Sequence, residues 1–248
     1  MSPPPLDSPP ASTAPGARLR PRRDLGRPGE LRPDFSEILK LVRPGARVLD
    51  IGCGEGALLE LLVEEKDCDA RGLEISAANV SACLARGLAV MQGDADSDLA
   101  DFPSGAFDYA ILSQTLQATV APREVLMELL RIADRAVVSF PNFGHWRMRF
   151  SLLFKGRMPE TPALPHHWWN TPNIHMCTLT DFVELCRQLD LRIEFCAALA
   201  GDKPPREINP DRPLEAWRAE AALFLLSRKG TSRPAPAPAP PSADLFGN

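Results

Sequence analysis

Apolar and polar positions along this chain recur with two periods, and the switches between them divide residues 34–230 into elements. In DFSEILKLV, Phe35, Ile38, Leu39 and Val42 fall at helical spacing, and Pro44–Gly45 ends the run. ARVLDIG is a short continuous apolar run, the pattern of a strand buried on both faces. Leu58, Leu61 and Leu62 then mark one face of a helix. ARGLEI, GLAVMQGD, AFDYAILSQ and DRAVVSFPN predict four more strands. Between them, Ser76 is placed to N-cap a helix running toward Arg86, and Pro122 to occupy the first turn of another. Beyond residue 178, Phe182, Leu185, Cys186 and Leu189 make an amphipathic helix, and LRIEFCAAL and AEAALFLLSR are two final strands.

Strands alternating with helices across short connections predict an α/β fold, a doubly wound, mostly parallel seven-stranded sheet. The stretch from Phe143 to Cys177 breaks the alternation and reads as an insertion. It holds HHWWNTPNIHMC, with three of the chain's four histidines and two of its four tryptophans.

Proline sets the boundaries. Nine of the 26 prolines precede Asp34, and five more follow Gly230. Segments 1–33 (Pro/Arg-rich) and 231–248 (Pro/Ala-rich) are expected to be disordered tails, because they carry too little apolar surface to offset ordering entropy. One domain is expected over 34–230. A net charge of −4 gives no pull toward nucleic acid. No apolar run suits a membrane span or a signal peptide. The six scattered cysteines form no C-x-x-C pair, so reduced thiols and a cytoplasmic location are expected.

VLDIGCGEG ends the first strand and opens the first helix of the sheet. Gly52, Gly54 and Ala57 match a dinucleotide fingerprint, and Glu74 ends the second strand about twenty residues on, where a carboxylate suits a ribose diol. The charges oppose a pyrophosphate. Asp50 and Glu55 flank the glycines, Asp94 and Asp96 follow the third strand, and Lys66 is the lone cation from 48 to 70. A phosphate at the helix N-terminus wants positive surroundings. S-adenosylmethionine carries an ammonium and a sulfonium and no phosphate, so it is expected here rather than NAD.

VLDIGCGEG, Glu74 and QGDAD resemble the class I S-adenosylmethionine-dependent methyltransferase superfamily. That resemblance implies that Gly52 and Gly54 pass beneath the methionine moiety and that Asp50 orients its amino end. Glu74 would hold the ribose hydroxyls and Asp94 the adenine amino group. Cys53, Ile75, Ala95 and Gln114 join them as expected contacts of S-adenosylmethionine or S-adenosylhomocysteine. FDYAILSQTLQ, VVSFPNFGHWRMRF, GRMPETPALP and WWNTPNIHMCT…DF are similar, in order, to the methionine biosynthesis protein MetW family of bacteria. HHWW departs from the wording of that family at this position. The resemblance implies a companion of homoserine O-acyltransferase, acting in the homoserine acylation step.

The histidine-rich insertion admits three readings. Zinc would want paired Cys or His ligands, and His166, His167, His175 and Cys177 lack that spacing, so no metal is assigned. His145 or His175 could act as a base. As a cover over the cofactor or a surface for substrate or partner, the insertion offers Asn142, Trp146, Arg147, Arg149, Trp168, Trp169 and Asn173. Gln117, just past the fourth strand, faces the same pocket or caps a helix. Two functions are expected to compete: a cofactor-binding companion of the acyltransferase, and an active methyltransferase on a small carboxylate or amino acid.

Overall fold

A computed structural model of the chain describes residues 32–161, 164, 166–201 and 203–230. The expected tails lie outside these residues, apart from Arg32 and Pro33. The sheet contains eight strands: β1 (Arg47–Ile51), β2 (Asp69–Glu74), β3 (Ala89–Gln92), β4 (Phe107–Ser113), β5 (Ala133–Pro141), β6 (Leu191–Ala200), β7 (Lys203–Glu207) and β8 (Ala221–Arg228). Their spatial order is β3-β2-β1-β4-β5-β8-β6-β7. Strands β1 to β5 run parallel, and β8 enters antiparallel between β5 and β6.

The doubly wound, mostly parallel sheet is the expected one, with one strand more than seven. The addition is β7, KPPRE, which pairs antiparallel with β6 at the sheet edge. Two prolines remove two ladder donors, which only an edge tolerates, and they also erase the strand signature from the sequence.

Among the described residues seven helices accompany the strands: α1 (Pro33–Leu41), α2 (Ala57–Lys66), α3 (Ala77–Ala85), α4 (Pro122–Ile132), α5 (Trp146–Phe150), α6 (Leu179–Gln188) and α7 (Pro213–Arg218). Ser76 accepts a hydrogen bond from the Asn79 N–H, so it caps α3, and Pro122 is the first residue of α4. Val48, Leu49, Tyr109, Leu112, Val137 and Val138 are fully buried, as continuous apolar runs in a covered parallel sheet require. Phe140 of β5, Phe182 of α6 and Phe224 of β8 fix α6 to the sheet, with ring centroids 4.7–5.8 Å apart.

The insertion is partly helical. Helix α5 continues into a wider π-helical turn over Ser151–Lys155, and then extended chain runs back to α6. The Phe143 N–H donates to the Cys177 carbonyl and closes its base. Among the described residues no helix is long and apolar enough to cross a membrane.

Candidate functional site

Strand order reverses between β1 and β4, and the crevice outside their carboxyl ends is where doubly wound sheets bind ligands. Asp50 stands there, next to last in β1 and 2% exposed. Burial pushes its carboxyl up to about 8; Arg32 pulls it down, while Asp34 and Glu74 push it further up. Among the described residues no hydrogen-bond donor holds this carboxylate. A buried acid without a donor leaves room for a cation.

The loop after β1 turns through three glycines with positive φ, Gly52 (71°), Gly54 (56°) and Gly56 (81°). A side chain at Gly54 would meet nothing within 4 Å, so this backbone faces open space. A Cβ at Gly56 would sit 2.5 Å from Leu88 Cδ1 and 2.9 Å from Cys83 Sγ. Gly56 is the left-handed N-cap of α2, so it, rather than Ala57, makes the close helix packing. The Cys53 side chain turns inward beneath Gly72 and leaves only its backbone to the loop surface.

The Glu74 carboxylate accepts from the Gly54 N–H (2.8 Å) and the Ser76 N–H (2.9 Å). These bonds orient it and leave each oxygen a further lone pair. Ile75, 64% exposed, presents a flat apolar lip beside it. Asp94 and Ala95 follow β3, and an Asp94 oxygen accepts from the Asp96 N–H. Asp96 is committed elsewhere, taking the N–H groups of Val120 and Ala121 at the start of α4. Two cations that sequence spacing concealed also approach the loop. Arg86 binds Glu60 and the Glu55 carbonyl, which spends it on structure. Arg32 pairs with buried Asp34 (2.6 Å) and donates to Ser113 Oγ (2.8 Å).

Ser113 and Ser139, at the ends of β4 and β5, also donate to Asp34. This network lay across the boundary drawn at residue 34, and nothing in the spacing pointed to it. Gln114 follows, at φ 55°, unusual for a residue with a Cβ and held by its N–H bond to the Ser139 carbonyl (2.9 Å). The buried Gln117 amide donates to the Gln114 carbonyl (2.7 Å), while its Oε1 has no partner among the described residues. The Ile174 and His175 N–H groups donate to the Gln117 carbonyl, which brings the insertion to the carboxyl end of β4.

Within the insertion the expected residues divide. Asn142 is fully buried, donates to the Ala216 and Ala219 carbonyls, and accepts from the Gly144 and Leu179 N–H groups. With its amide fully engaged, Asn142 is a pin between β5, α6 and α7, which corrects its assignment to substrate or partner. His145 is buried at the start of α5, and burial lowers its pKa, favouring the neutral ring. His175 is exposed, with Nε2 3.3 Å from the Val120 carbonyl. No hydrogen bond or ring contact links the two histidines among the described residues. His167 pairs with Glu160 (2.7 Å) and stacks on Trp169. Trp168 and Trp169 are exposed, as is Arg147, which lies over the Trp146 ring. Arg149 donates to the Gly144 carbonyl, and the Asn173 N–H to Thr171 Oγ1. A separate apolar cleft of about 640 Å³ opens over Leu73, Met91, Phe102 and Phe107, and no glycine-loop residue lines it.

Residues 32–226 match the family model described as methionine biosynthesis protein MetW. The chain is 35% identical over 205 residues to the bifunctional methionine biosynthesis protein MetXA/MetW of Rhodopirellula baltica, an alignment covering 79% of this chain and 33% of the relative. It thus spans about a third of that protein's length. Among solved structures, the fold is similar to an S-adenosylmethionine dependent methyltransferase from Mesorhizobium loti (18% identity, 79% of this chain and 96% of that one, TM-score 0.57). It is also similar to the [4+2]-cyclase SpnF (17% identity, 82% and 85%, TM-score 0.56) and to a possible histamine N-methyltransferase from Thermotoga maritima (17%, 79% and 91%, 0.55). The likeness extends to proteins named for different reactions, so it carries the fold alone.

Proposed function

Since this chain belongs to the MetW family of methionine biosynthesis proteins, we propose that it binds S-adenosylmethionine and supports homoserine O-acyltransferase as a companion. The observation that carries the ligand is Asp50, a buried carboxyl group with no donor among the described residues, beside the open face of Gly54. An ammonium would take the place of the Asp50 proton and pair with the carboxylate it leaves; a pyrophosphate would face the acids Asp50 and Glu74 across a buried surface. Glu74, already oriented by two N–H groups, keeps acceptors for a ribose diol, and exposed Ile75 offers a surface for a purine. Bound there, the ligand would add a fixed positive charge and a nucleoside to the crevice. Asp50, Gly54, Glu74 and Ile75 would hold it. This reading asks no base of His145 or His175.

The partner is supported by the relative whose name joins MetXA and MetW in one protein, the MetXA portion standing in the acyltransferase's place. Two functions carried on one chain act at high effective concentration, the arrangement a companion needs. If the ligand reports on its own supply, it must change affinity for the acyltransferase, and the acyltransferase must change affinity for the ligand by the same factor. Calorimetry of the complex with and without S-adenosylmethionine tests this, alongside acyltransferase assays in both conditions. Equal affinities would end the sensor reading, and tryptophan quenching by NADH but not by S-adenosylmethionine would end the ligand assignment.

A further inference from the structure

An aromatic row leads from the end of the sheet to the surface. Trp217 of α7 packs on Trp146, Trp146 on Phe150, and Phe150 stacks on Phe154, with centroids 6.0, 6.0 and 5.4 Å apart. The row ends in the π-helical turn, where Leu152, Leu153 and Phe154 are three consecutive exposed apolar residues, Leu153 and Phe154 at 75% and 72%. Single exposed apolar side chains are ordinary, but a contiguous, stacked set on a wide helical turn marks a contact surface.

Charge gives that surface a sign. No Asp or Glu occurs between Asp134 and Glu160, whereas Arg147, Arg149, Lys155 and Arg157 do, in a chain of net charge −4. Arg149 is turned to the Gly144 carbonyl. Arg147 lies 3.9 Å from Glu220, and Lys155 and Arg157 have no ion-pair partner among the described residues. Beside the row is a hollow of about 610 Å³ lined by Trp146, Phe150, Phe154, Lys155, Arg157 and Met158. The Glu160 carboxylate at its edge is engaged by His167.

We infer that this surface, from Trp146 to Met158 with Trp217, is the docking site for the homoserine O-acyltransferase, which would present apolar side chains ringed by carboxylates. The inference rests on the companion reading above. The partner's apolar side chains fill the hollow and cover Leu153 and Phe154, and its acids meet Arg147, Lys155 and Arg157. The occupant is the acyltransferase rather than a second copy because this basic surface cannot complement itself, whereas the relative carries a MetXA portion in the same chain. The crevice of Asp50 and Glu74 is not part of the surface, so contacts here can be broken without touching the ligand site.

The test is surface-immobilised acyltransferase from the same host, titrated with the full chain and two double variants, Leu153→Asp/Phe154→Asp and Lys155→Glu/Arg157→Glu. The apolar pair is expected to weaken binding at least tenfold, and the charge pair roughly tenfold with a loss of salt dependence. All four residues are outside the ligand site, so melting temperature and S-adenosylhomocysteine affinity should match the wild type. Wild-type binding with both variants binding equally well overturns the surface while leaving the companion reading intact. Failure of the wild type to bind overturns both. Light scattering that shows a wild-type dimer broken by the variants, with acyltransferase binding retained, assigns the surface to a second copy instead.

Discussion

A carboxyl group pushed up to about 8 in a ligand crevice makes cation binding depend on pH in a defined direction. For an acid whose pKa is raised by folding, the proton is bound more tightly in the native protein. The stability lost therefore grows from the ordinary 3.8 upward and levels off above about 8. At pH 7 the unfolded chain has this group ionised and the native chain has it protonated, a cost of about 4 kcal/mol as an upper bound at about 1.4 kcal/mol per tenfold. An incoming ammonium requires the carboxylate. Asp50 is mostly protonated at pH 6 and close to half ionised near pH 8. The α-ammonium of S-adenosylhomocysteine, a free amino acid's, titrates above a chain terminus's and keeps its proton over that range. The Asp50 titration therefore predicts affinity rising about 10- to 100-fold between pH 6 and pH 8, with most of a proton released per ligand at pH 7. S-adenosylhomocysteine retains the ammonium without the sulfonium and isolates the effect. Calorimetry in two buffers of different ionisation heat reads the proton directly. Asp50→Asn should release none, bind about 10- to 100-fold more weakly at pH 8 for a lost charge-assisted bond, and melt at a higher temperature at pH 8 than the parent. A wild-type affinity flat from pH 6 to 8, with no proton released, would refute the assignment of Asp50 to the ammonium.

Glu74→Ala should weaken S-adenosylhomocysteine binding by about 1.5–3 kcal/mol for each charge-assisted bond lost; unchanged calorimetric affinity would mean that another carboxylate holds the ribose. Gly54→Ala and Gly56→Ala separate binding from folding. The first places a methyl in open space and should cost about 1 kcal/mol of stability while sharply reducing affinity. The second drives a methyl into Leu88 and Cys83 and should lower the melting temperature by an amount equivalent to about 2 kcal/mol or more. Arg135 and Glu194 form an ion pair with little exposure, 2.9 Å apart. Burial alone would raise the Glu194 pKa, but the neighbouring Ser227 hydroxyl, the Arg135 hydrogen bond and the charges of Arg135 and Arg192 hold it below the ordinary value. That stability is present above the unfolded carboxylate pKa near 4.5 and is lost as pH falls through the lower native value. Glu194→Ala should therefore cost about 1–3 kcal/mol at pH 7, read by urea denaturation, and less in acid.

Local pattern carried most of the sheet. Strands β1 to β6 and β8 were legible because each carries apolar positions in a short run set off by glycine, proline or polar residues, and Ser76 and Pro122 signal their helices by side-chain chemistry alone. Strand β7 was not legible, since its pairing comes from its place beside β6 and its two prolines argue locally against any strand. Helix α5 was hidden in the aromatic and basic residues of the insertion, whose apolar positions face outward as well as inward.

The candidate site divides along the same line. The glycine loop and the carboxylates at the strand ends are properties of single segments, and their residue types and spacing state the chemistry before any folding. Which polar groups remain free is a property of the assembled fold. Asn142 resembles a ligand residue until four backbone groups, three of them from other segments, consume its amide. Arg32 resembles tail until Asp34 and Ser113 meet it. Hydrogen bonds and desolvation depend on neighbours in space, so the sequence alone determined seven of the eight strands and the acidic crevice, and only the tertiary structure decided that Asp50 is buried with no donor among the described residues and that Leu153 and Phe154 are left uncovered.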